Sequence, residues 1–292
     1  MKNKSFAIFI ITHGRADQVI TINTLNRLNY TGRTFLIIDN EDDQAELYHK
    51  NFGKDRVFMF DKKAIADQTD EGDNFNDRRT TTHARNACFQ IAKKIGVKYF
   101  MVLDDDYTTF SYRIDQDGKY NTGGGVVIKN INQCIDALIG FYEKINAKTI
   151  AIAQGGDFIG GAESTMAKVF PLKRKAMNSF LCSVDRPFKF IGRLNEDVNT
   201  YVRLGNTGDL FFTIPFMSLT QKTTQLTKGG MTEAYLKYGT YVKSFYTVMY
   251  APSAVKLALM GNNDKRIHHK IKWKNCVPCI ISEELKKNKT PF

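Results

Sequence analysis

FMVLDDD, residues 100–106, ends an apolar run in three consecutive carboxylates, Asp104, Asp105 and Asp106. The apolar part reads as a strand buried on both faces. Carboxylates side by side repel, and each is costly at the edge of a core unless something positive meets it. A divalent cation is the natural partner. Side chains alternate along a strand, so Asp104 and Asp106 face one ligand together while Asp105 points away. Oxygen-only ligation suits Mg2+ or Mn2+, and such ions commonly bridge to diphosphates. A solvated turn explains one or two acids at a strand end, and three less well.

On either side of this stretch, strand and helix signals alternate. Residues 6–12, 34–38, 56–60 and 149–153 read as further strands. Helical spacing of apolar residues marks 15–28, 44–51, 80–95 and 130–146, with Gly96 closing the third. This order implies an α/β fold with a mainly parallel sheet and helices on both faces. Ligands then sit beyond the carboxyl ends of the strands. Thr12-His13-Gly14-Arg15, Asp39-Asn40 and Asp104–Asp106 all fall at such ends, so three polar clusters converge on one rim. Residues 66–79 are polar and read as a mobile surface loop, and 109–120 as a hairpin turning at Asp117-Gly118. The pattern from 170 to 213 is mixed and basic. Residues 232–238 and 241–248 are again helical.

The 292 residues allow one large domain, 1–292, with a ligand-binding half at 1–125 and a second half at 126–292. At 42% hydrophobic and 25% charged, the composition is that of a folded protein. No apolar run reaches the ~20 residues of a membrane helix. The opening MKNKSFAIFIITHGR resembles a signal peptide superficially, but its apolar part runs into Thr12-His13-Gly14-Arg15 and reads as a buried strand. Five cysteines without framework spacing suit a reducing cytoplasm. Cys276-Val277-Pro278-Cys279 lacks the H-x-E of a zinc deaminase and reads as a buried strand. A net charge of +12 favours polyanionic partners, although a lysine-rich soluble enzyme from an AT-rich genome would show the same surplus.

The order of motifs is more telling than any one of them. Ala84-Arg85-Asn86 opens a helix, and YFMVLDDD follows. In this the chain resembles glycosyltransferases of the GT-A fold over residues 6–201. The resemblance implies a Rossmann-like nucleotide-sugar domain with a UDP-sugar as donor and Mn2+ or Mg2+ as cofactor. It places Asp104 at the ribose or donor sugar and Asp106 on the metal. Asp39 would sit near the base or ribose, Thr12 and Arg15 would line the nucleotide site, and Arg85 would reach the diphosphate or the sugar. Inverting members need a general base. The Glu-Asp pair in Leu194-Asn195-Glu196-Asp197-Val198 supplies Asp197 as first choice and Glu196 as second. The same residues also read as a helix start with Asn195 as N-cap. A late histidine often completes the metal site; His268-His269 is the only His pair, with His268 slightly favoured. Gln154, Gly155 and Gly156 would let a sugar approach the backbone closely.

The second half is similar to a narrower group, the TET-associated glycosyltransferases, in DDD, QGG, NEDVNTY, TQKTTQLTKGGMTEAY and RIHHKIKW. That group is linked to viral and kinetoplastid DNA hypermodification, and it transfers sugars to hydroxymethylated pyrimidines in DNA. The resemblance implies double-stranded DNA carrying 5-hydroxymethylcytosine, or another 5-hydroxymethylpyrimidine, as acceptor, and a phage gene product at work in a host cytoplasm. Gln221, Lys222, Thr223, Gln225 and Lys228 would form an acceptor-side loop. Basic residues interleaved with aromatics point the same way. They are Lys168, Lys173, Arg174, Lys175, Arg186, Lys189 and Arg193, then Lys265, Arg266, Lys270, Lys272 and Lys274, among Phe170, Phe180, Phe188, Phe190 and Trp273. Two rivals stand beside this reading: a GT-A enzyme of cell-surface polysaccharide or lipid-linked sugars, and a non-catalytic DNA-binding scaffold.

Overall fold

The computed structural model describes residues 3–121, 125–158, 161–168, 173, 175–222, 231–239, 241–261 and 265–277. Arg174, Thr223, Gln225, Lys228, Phe170 and Cys279 lie outside them. In chain order the elements are β1 (Phe6–Ile11), α1 (Ile20–Arg27), β2 (Arg33–Asp39), α2 (Ala45–Phe52), β3 (Val57–Phe60), α3 (Lys62–Ala66), α4 (Thr82–Lys94), β4 (Tyr99–Asp104), β5 (Tyr107–Tyr112) and β6 (Val126–Val127). They continue as α5 (Ile131–Lys144), β7 (Thr149–Gln154), α6 (Thr165–Lys168), β8 (Phe180–Ser183), α7 (Glu196–Asn206), β9 (Phe211–Gln221), α8 (Thr232–Tyr238), α9 (Val242–Tyr250), β10 (Val255–Met260) and β11 (Arg266–Ile271).

Among the described residues nine strands form one sheet in the order β3-β2-β1-β4-β8-β7-β9-β5-β6, and β10 pairs with β11 in a separate ribbon. The pairs β3-β2, β2-β1, β1-β4 and β7-β9 are parallel. Only β8 and β5 run against the common direction. The expected α/β architecture with a mainly parallel sheet is therefore what forms.

Alternation along β1 explains the two-sided core. Phe6, Ile8 and Ile10 enter one apolar cluster with Leu25, Tyr48, Ile135 and Ile139 from α1, α2 and α5. Ala7, Phe9 and Ile11 enter the other with Ala87, Cys88, Ile91 and Ala92 from α4 and Val198, Tyr201 and Val202 from α7. Burying each Ile or Phe contributes about 1.5–3 kcal/mol. That holds the central strands rigid and fixes their ends in space.

Several expectations need correction. The helix read from 15 begins only at Ile20. Residues 170–213 hide β8 and the start of β9. β9 escapes a pattern search because Pro215 interrupts it. The pairing with β7 jumps from Ile152–Ile214 to Ala153–Ser218, so a bulge absorbs the proline. The hairpin read over 109–120 survives only as a turn bridged by Ile114 and Tyr120, because β5 pairs with β9 and β6 instead.

The polar 66–79 segment is pinned. Arg193, fully buried, donates Nε to Asp73 at 2.8 Å and Nη2 to the Tyr246 hydroxyl at 2.7 Å. The backbone nitrogens of Gly192 and Arg193 donate to the Asp70 and Glu71 carbonyls at 2.7 and 2.8 Å. Arg193 is thus a tie within the fold and not a DNA contact. Phe180, Phe188 and Phe190 are core residues for the same reason: they pack on one another and on Phe211. Arg186 caps the end of α5, donating to the carbonyls of Tyr142, Ile145 and Ala147.

Candidate active site

The carboxyl ends of β1, β2, β3, β4, β7 and β9 open onto one cavity of about 440 Å3. That lies within the ~300–1,000 Å3 typical of small-molecule sites. Its wall includes Thr12, His13, Arg15, Asp39, Arg85, all three of Asp104–Asp106, Gln154, Glu196, Asp197, His268 and His269. The convergence read from the sequence therefore exists. Residues more than 160 positions apart meet there because parallel strands deliver their ends to one rim.

What meets the three carboxylates is resolved residue by residue. Asp105 does turn away from its neighbours. Its Oδ2 accepts from Thr12 Oγ1 at 2.7 Å and its Oδ1 from Arg15 Nη1 at 2.8 Å. Thr12 and Arg15 are accordingly held by Asp105, and the first loop is locked to the fourth strand. Gly14, in the left-handed region at φ 67, lets this loop turn so that its N–H reaches Asp42 at 2.8 Å. Asp104 accepts from Arg85 Nη2 at 3.2 Å. Burial raises its pKa, and Arg85 opposes that rise.

Asp106 is different. Its Oδ1 is buried and has no hydrogen-bond partner among the described residues. Burial, then the charges of Asp104 and Asp105, push its pKa up to about 7. One carboxylate of three is left wanting a cation.

Arg85 is no surface ion pair. It is 2% exposed and lies over the rings of Phe180 and Phe190, 5.0 and 5.7 Å from their centroids. Besides Asp104 it donates to Glu196, which also accepts from Thr81 Oγ1 at 2.5 Å. Burial disfavours the guanidinium charge, but Glu196 and Asp104 outweigh it and raise the pKa. With Glu196 so occupied, Asp197 is the freer acid. It faces the cavity, takes one hydrogen bond from the Val198 N–H at 2.7 Å, and has its pKa raised to about 6 by burial and by Glu196.

Asn195 stands at the N-cap position of α7, its carbonyl accepting from the Asn199 N–H at 2.9 Å, but its side chain does not cap. It sits in the left-handed region (φ 61, ψ 34). Its amide donates instead to Thr247 Oγ1 at 2.5 Å and approaches His269 Nδ1 at 3.5 Å.

The late histidines lie on β11 and both line the cavity. His269 is engaged at both ring nitrogens, by Asn195 and by Lys175 Nζ at 3.2 Å. Among the described residues, no hydrogen bond holds His268. Burial and neighbouring cations lower the pKa of His268 to about 4 and of His269 to about 3, so both are neutral, the form that binds metal. Among the described residues no three His, Cys, Asp or Glu side chains cage an ion unaided. The donor set suits an ion that takes one or two protein ligands and completes its shell with phosphate oxygens. Asp106, with its orphaned oxygen, and His268 fit that group.

Lys175, expected at a DNA surface, turns into the cavity. Lys173, Lys189, Lys222, Lys270 and Lys272 are exposed. Asp39, expected beside a base or ribose, is paired with His13 Nδ1 at 2.8 Å and with the buried Lys62 Nζ at 3.2 Å. Gln154 ends β7, and its Nε2 is buried without a partner; Gly155 begins a one-turn helix just after it. Sequence reasoning missed Lys62, Thr81, Tyr235 and Lys243 in the wall. Lys62 and Thr81 carry no local signal, and the other two lie on amphipathic helices read only as packing.

A chain of this fold and rim belongs among the glycosyltransferases, and its family can be stated more narrowly. The model of the TET-associated glycosyltransferase family matches residues 6–230, and the chain belongs to that family. No curated protein matches it significantly. Among solved structures it is similar to glucosyl-3-phosphoglycerate synthase from Mycobacterium tuberculosis. The complex of that protein with Mn2+ and UDP-glucose shares 10% identity over 93% of this chain and 91% of that one, with a TM-score of 0.47. Its complex with Mn2+, UDP and phosphoglyceric acid shares 11% over 95% and 89%, with a TM-score of 0.45. Likeness this distant transfers no residue role.

Proposed function

We propose that this glycosyltransferase moves a sugar from a UDP-sugar to the hydroxyl of a 5-hydroxymethylpyrimidine in DNA, 5-hydroxymethylcytosine first, with Mn2+ or Mg2+ at the donor diphosphate. One observation carries the donor half of the reading: among the described residues, three with an orphaned buried polar atom, Asp106 (Oδ1), Gln154 (Nε2) and Arg85 (Nε), line the same cavity as Asp197. Unsatisfied buried groups are costly, and a ligand that satisfies them recovers that cost. Family membership and the exposed lysines support the DNA acceptor.

Asp106 and His268 would hold the metal, which when bound neutralises the departing diphosphate. Arg85 keeps Asp104 and Glu196 in place, and Thr12 and Arg15 do the same for Asp105. The acceptor oxygen bonds to the anomeric carbon as that carbon's bond to the diphosphate breaks. In an inverting transfer Asp197 takes the hydroxyl proton, and a pKa raised toward the working pH suits that task. Residues 1–125 then serve the donor, and 126–292 bring the base, the late histidine and the acceptor surface. A cytoplasmic setting suits the free cysteines. No helix among the described residues is long and apolar enough to cross a membrane.

The test is transfer read by mass spectrometry. Protein, Mn2+ and a panel of UDP-sugars meet DNA bearing cytosine, hydroxymethylcytosine or hydroxymethyluracil. A sugar's mass gained on one hydroxymethylated DNA is expected. Hydrolysis of a UDP-sugar with no DNA modified would overturn the acceptor and keep the donor site.

A further inference from the structure

The β10–β11 ribbon stands outside the main sheet, with α9 packed on both strands. Its register puts Val255 opposite Ile271, Leu257 opposite His269 and Leu259 opposite Ile267 on one face. Lys256–Lys270, Ala258–His268 and Met260–Arg266 alternate with these on the other face. The apolar face is graded. Val255 at the root is 1% exposed, Leu257 40% and Leu259 67%, and Ile267 opposite Leu259 is 37% exposed. The ribbon's described residues include Lys256, Lys265, Arg266 and Lys270 and no carboxylate.

The same ribbon thus lines the cavity at His268 and His269 and, among its described residues, carries the exposed Leu259 and Ile267 away from the cavity beside Lys265 and Arg266. Arg266 lies two residues beyond His268, roughly 7 Å along a strand. Enzymes that act on a base inside a duplex swing it out of the stack. Proteins that open a stack insert apolar side chains into it, and a two-stranded ribbon fits a major groove. A second copy of this chain is a poor occupant, because two-fold pairing of the ribbons would set cation against cation.

We propose that the β10–β11 ribbon opens the duplex: Lys256, Lys265, Arg266 and Lys270 follow the phosphates, while Leu259 and Ile267 fill the gap left by the acceptor base. This rests on the DNA acceptor proposed above.

The experiment compares the wild-type protein with an L259S/I267S variant, whose changes are exposed and spare the core. Acceptors are single-stranded and duplex oligonucleotides with one 5-hydroxymethylcytosine, and a 2-aminopurine beside it reports unstacking. The variant should lose about tenfold or more on duplex, since unstacking a base step costs a few kcal/mol. It should keep wild-type transfer to the single strand and lose the fluorescence rise on duplex. Equal loss on both acceptors, or no loss on either, overturns the wedge while the acceptor reading stands. A wild-type dimer that the substitutions dissolve assigns Leu259 and Ile267 to a second copy and overturns it too. Wild-type protein inert on both DNAs removes the acceptor reading and the ribbon with it.

Discussion

Arg85 and Arg193 are both buried arginines, 2% and 0% exposed, and both hold carboxylates. Arg85, on α4, ties Asp104 at the end of β4 to Glu196 at the start of α7, on the wall of the cavity. Arg193 ties Asp73 of the 66–79 segment to Tyr246 of α9, with its guanidinium 4.6 Å from the Tyr238 ring centroid. The residue type is the same, and so is the chemistry of the pair. What separates them is position: one pair sits at the strand ends, where ligands bind, and the other braces the segment that closes over α4. A buried ion pair alone does not mark a site. Among the described residues each region leaves one guanidinium nitrogen unpaired, Arg85 Nε and Arg193 Nη1, but a buried acid without a hydrogen-bond partner, Asp106, lies only beside Arg85.

The largest effect that would sharpen this contrast is expected from Asp106→Ala. Transfer should fall by about a thousandfold or more, since metal stabilisation of a leaving phosphate is worth several kcal/mol. The fold should hold or gain, because the change removes repulsion among three acids. A transfer assay beside a thermal melt checks both. Retained activity removes the metal from Asp106. Asp197→Asn should cost about 10^2–10^4-fold in kcat with UDP-sugar binding kept, because general-base help is lost and shape is not. Isothermal titration with single-turnover kinetics separates the two. If Glu196→Gln alone has that kinetic signature, the base has been assigned to the wrong member of the pair.

Arg193→Leu should act on the other side of the comparison. Leaving Asp73 uncompensated costs about 3–5 kcal/mol of stability, read from urea unfolding. Activity per folded molecule should change little. A large loss of activity at unchanged stability would break the distinction drawn here between the two arginines.

The pH profile is a smaller effect. Asp197 must be ionised to accept a proton, and its pKa is raised to about 6 by burial and by Glu196. With Mn2+ saturating, so that Asp106 stays ionised, the rate of transfer should therefore be flat above roughly pH 7 and fall about tenfold per unit as pH drops below 6. In stability the sign is opposite. A raised carboxylate pKa means that the folded state binds the proton more tightly than the unfolded chain. Its contribution is full below the ordinary value near 3.8 and is lost as pH rises through about 6. A rate that is level from pH 5 to 8 would remove Asp197 as base.

How much of this could be read beforehand follows the same division. The rim was legible because strand ends are marked locally: an apolar run, then a polar cluster, repeated at Thr12, Asp39 and Asp104. Alternation separated Asp105 from Asp104 and Asp106. α4 was legible from its apolar spacing and its closing glycine. Arg193 was not, because the acid that buries it lies 120 residues away. Lys62 and Thr81 are silent for the same reason. β9 was concealed by Pro215, and the aromatics beside the basic residues were taken for a stacking surface when they fill the core. A cation's neighbours in sequence say little about what neutralises it.

The smallest expected effect tests that last point. Lys189 lies four residues before Arg193, and the sequence gives both the same reading. Lys189 is exposed, and among the described residues its Nζ reaches only the Gln68 carbonyl at 3.3 Å. Lys189→Gln should leave stability within about 0.5 kcal/mol of wild type. If Lys189 touches a phosphate, DNA affinity should fall at all sequences alike, and the log–log salt slope should shrink by about one. A salt titration of duplex binding measures that slope. An unchanged slope would leave Lys189 a solvated surface charge and move the DNA contact to the cations of the β10–β11 ribbon. A loss of several kcal/mol in stability would mean that exposure does not separate structural from binding cations in this fold, and the contrast with Arg193 would fail.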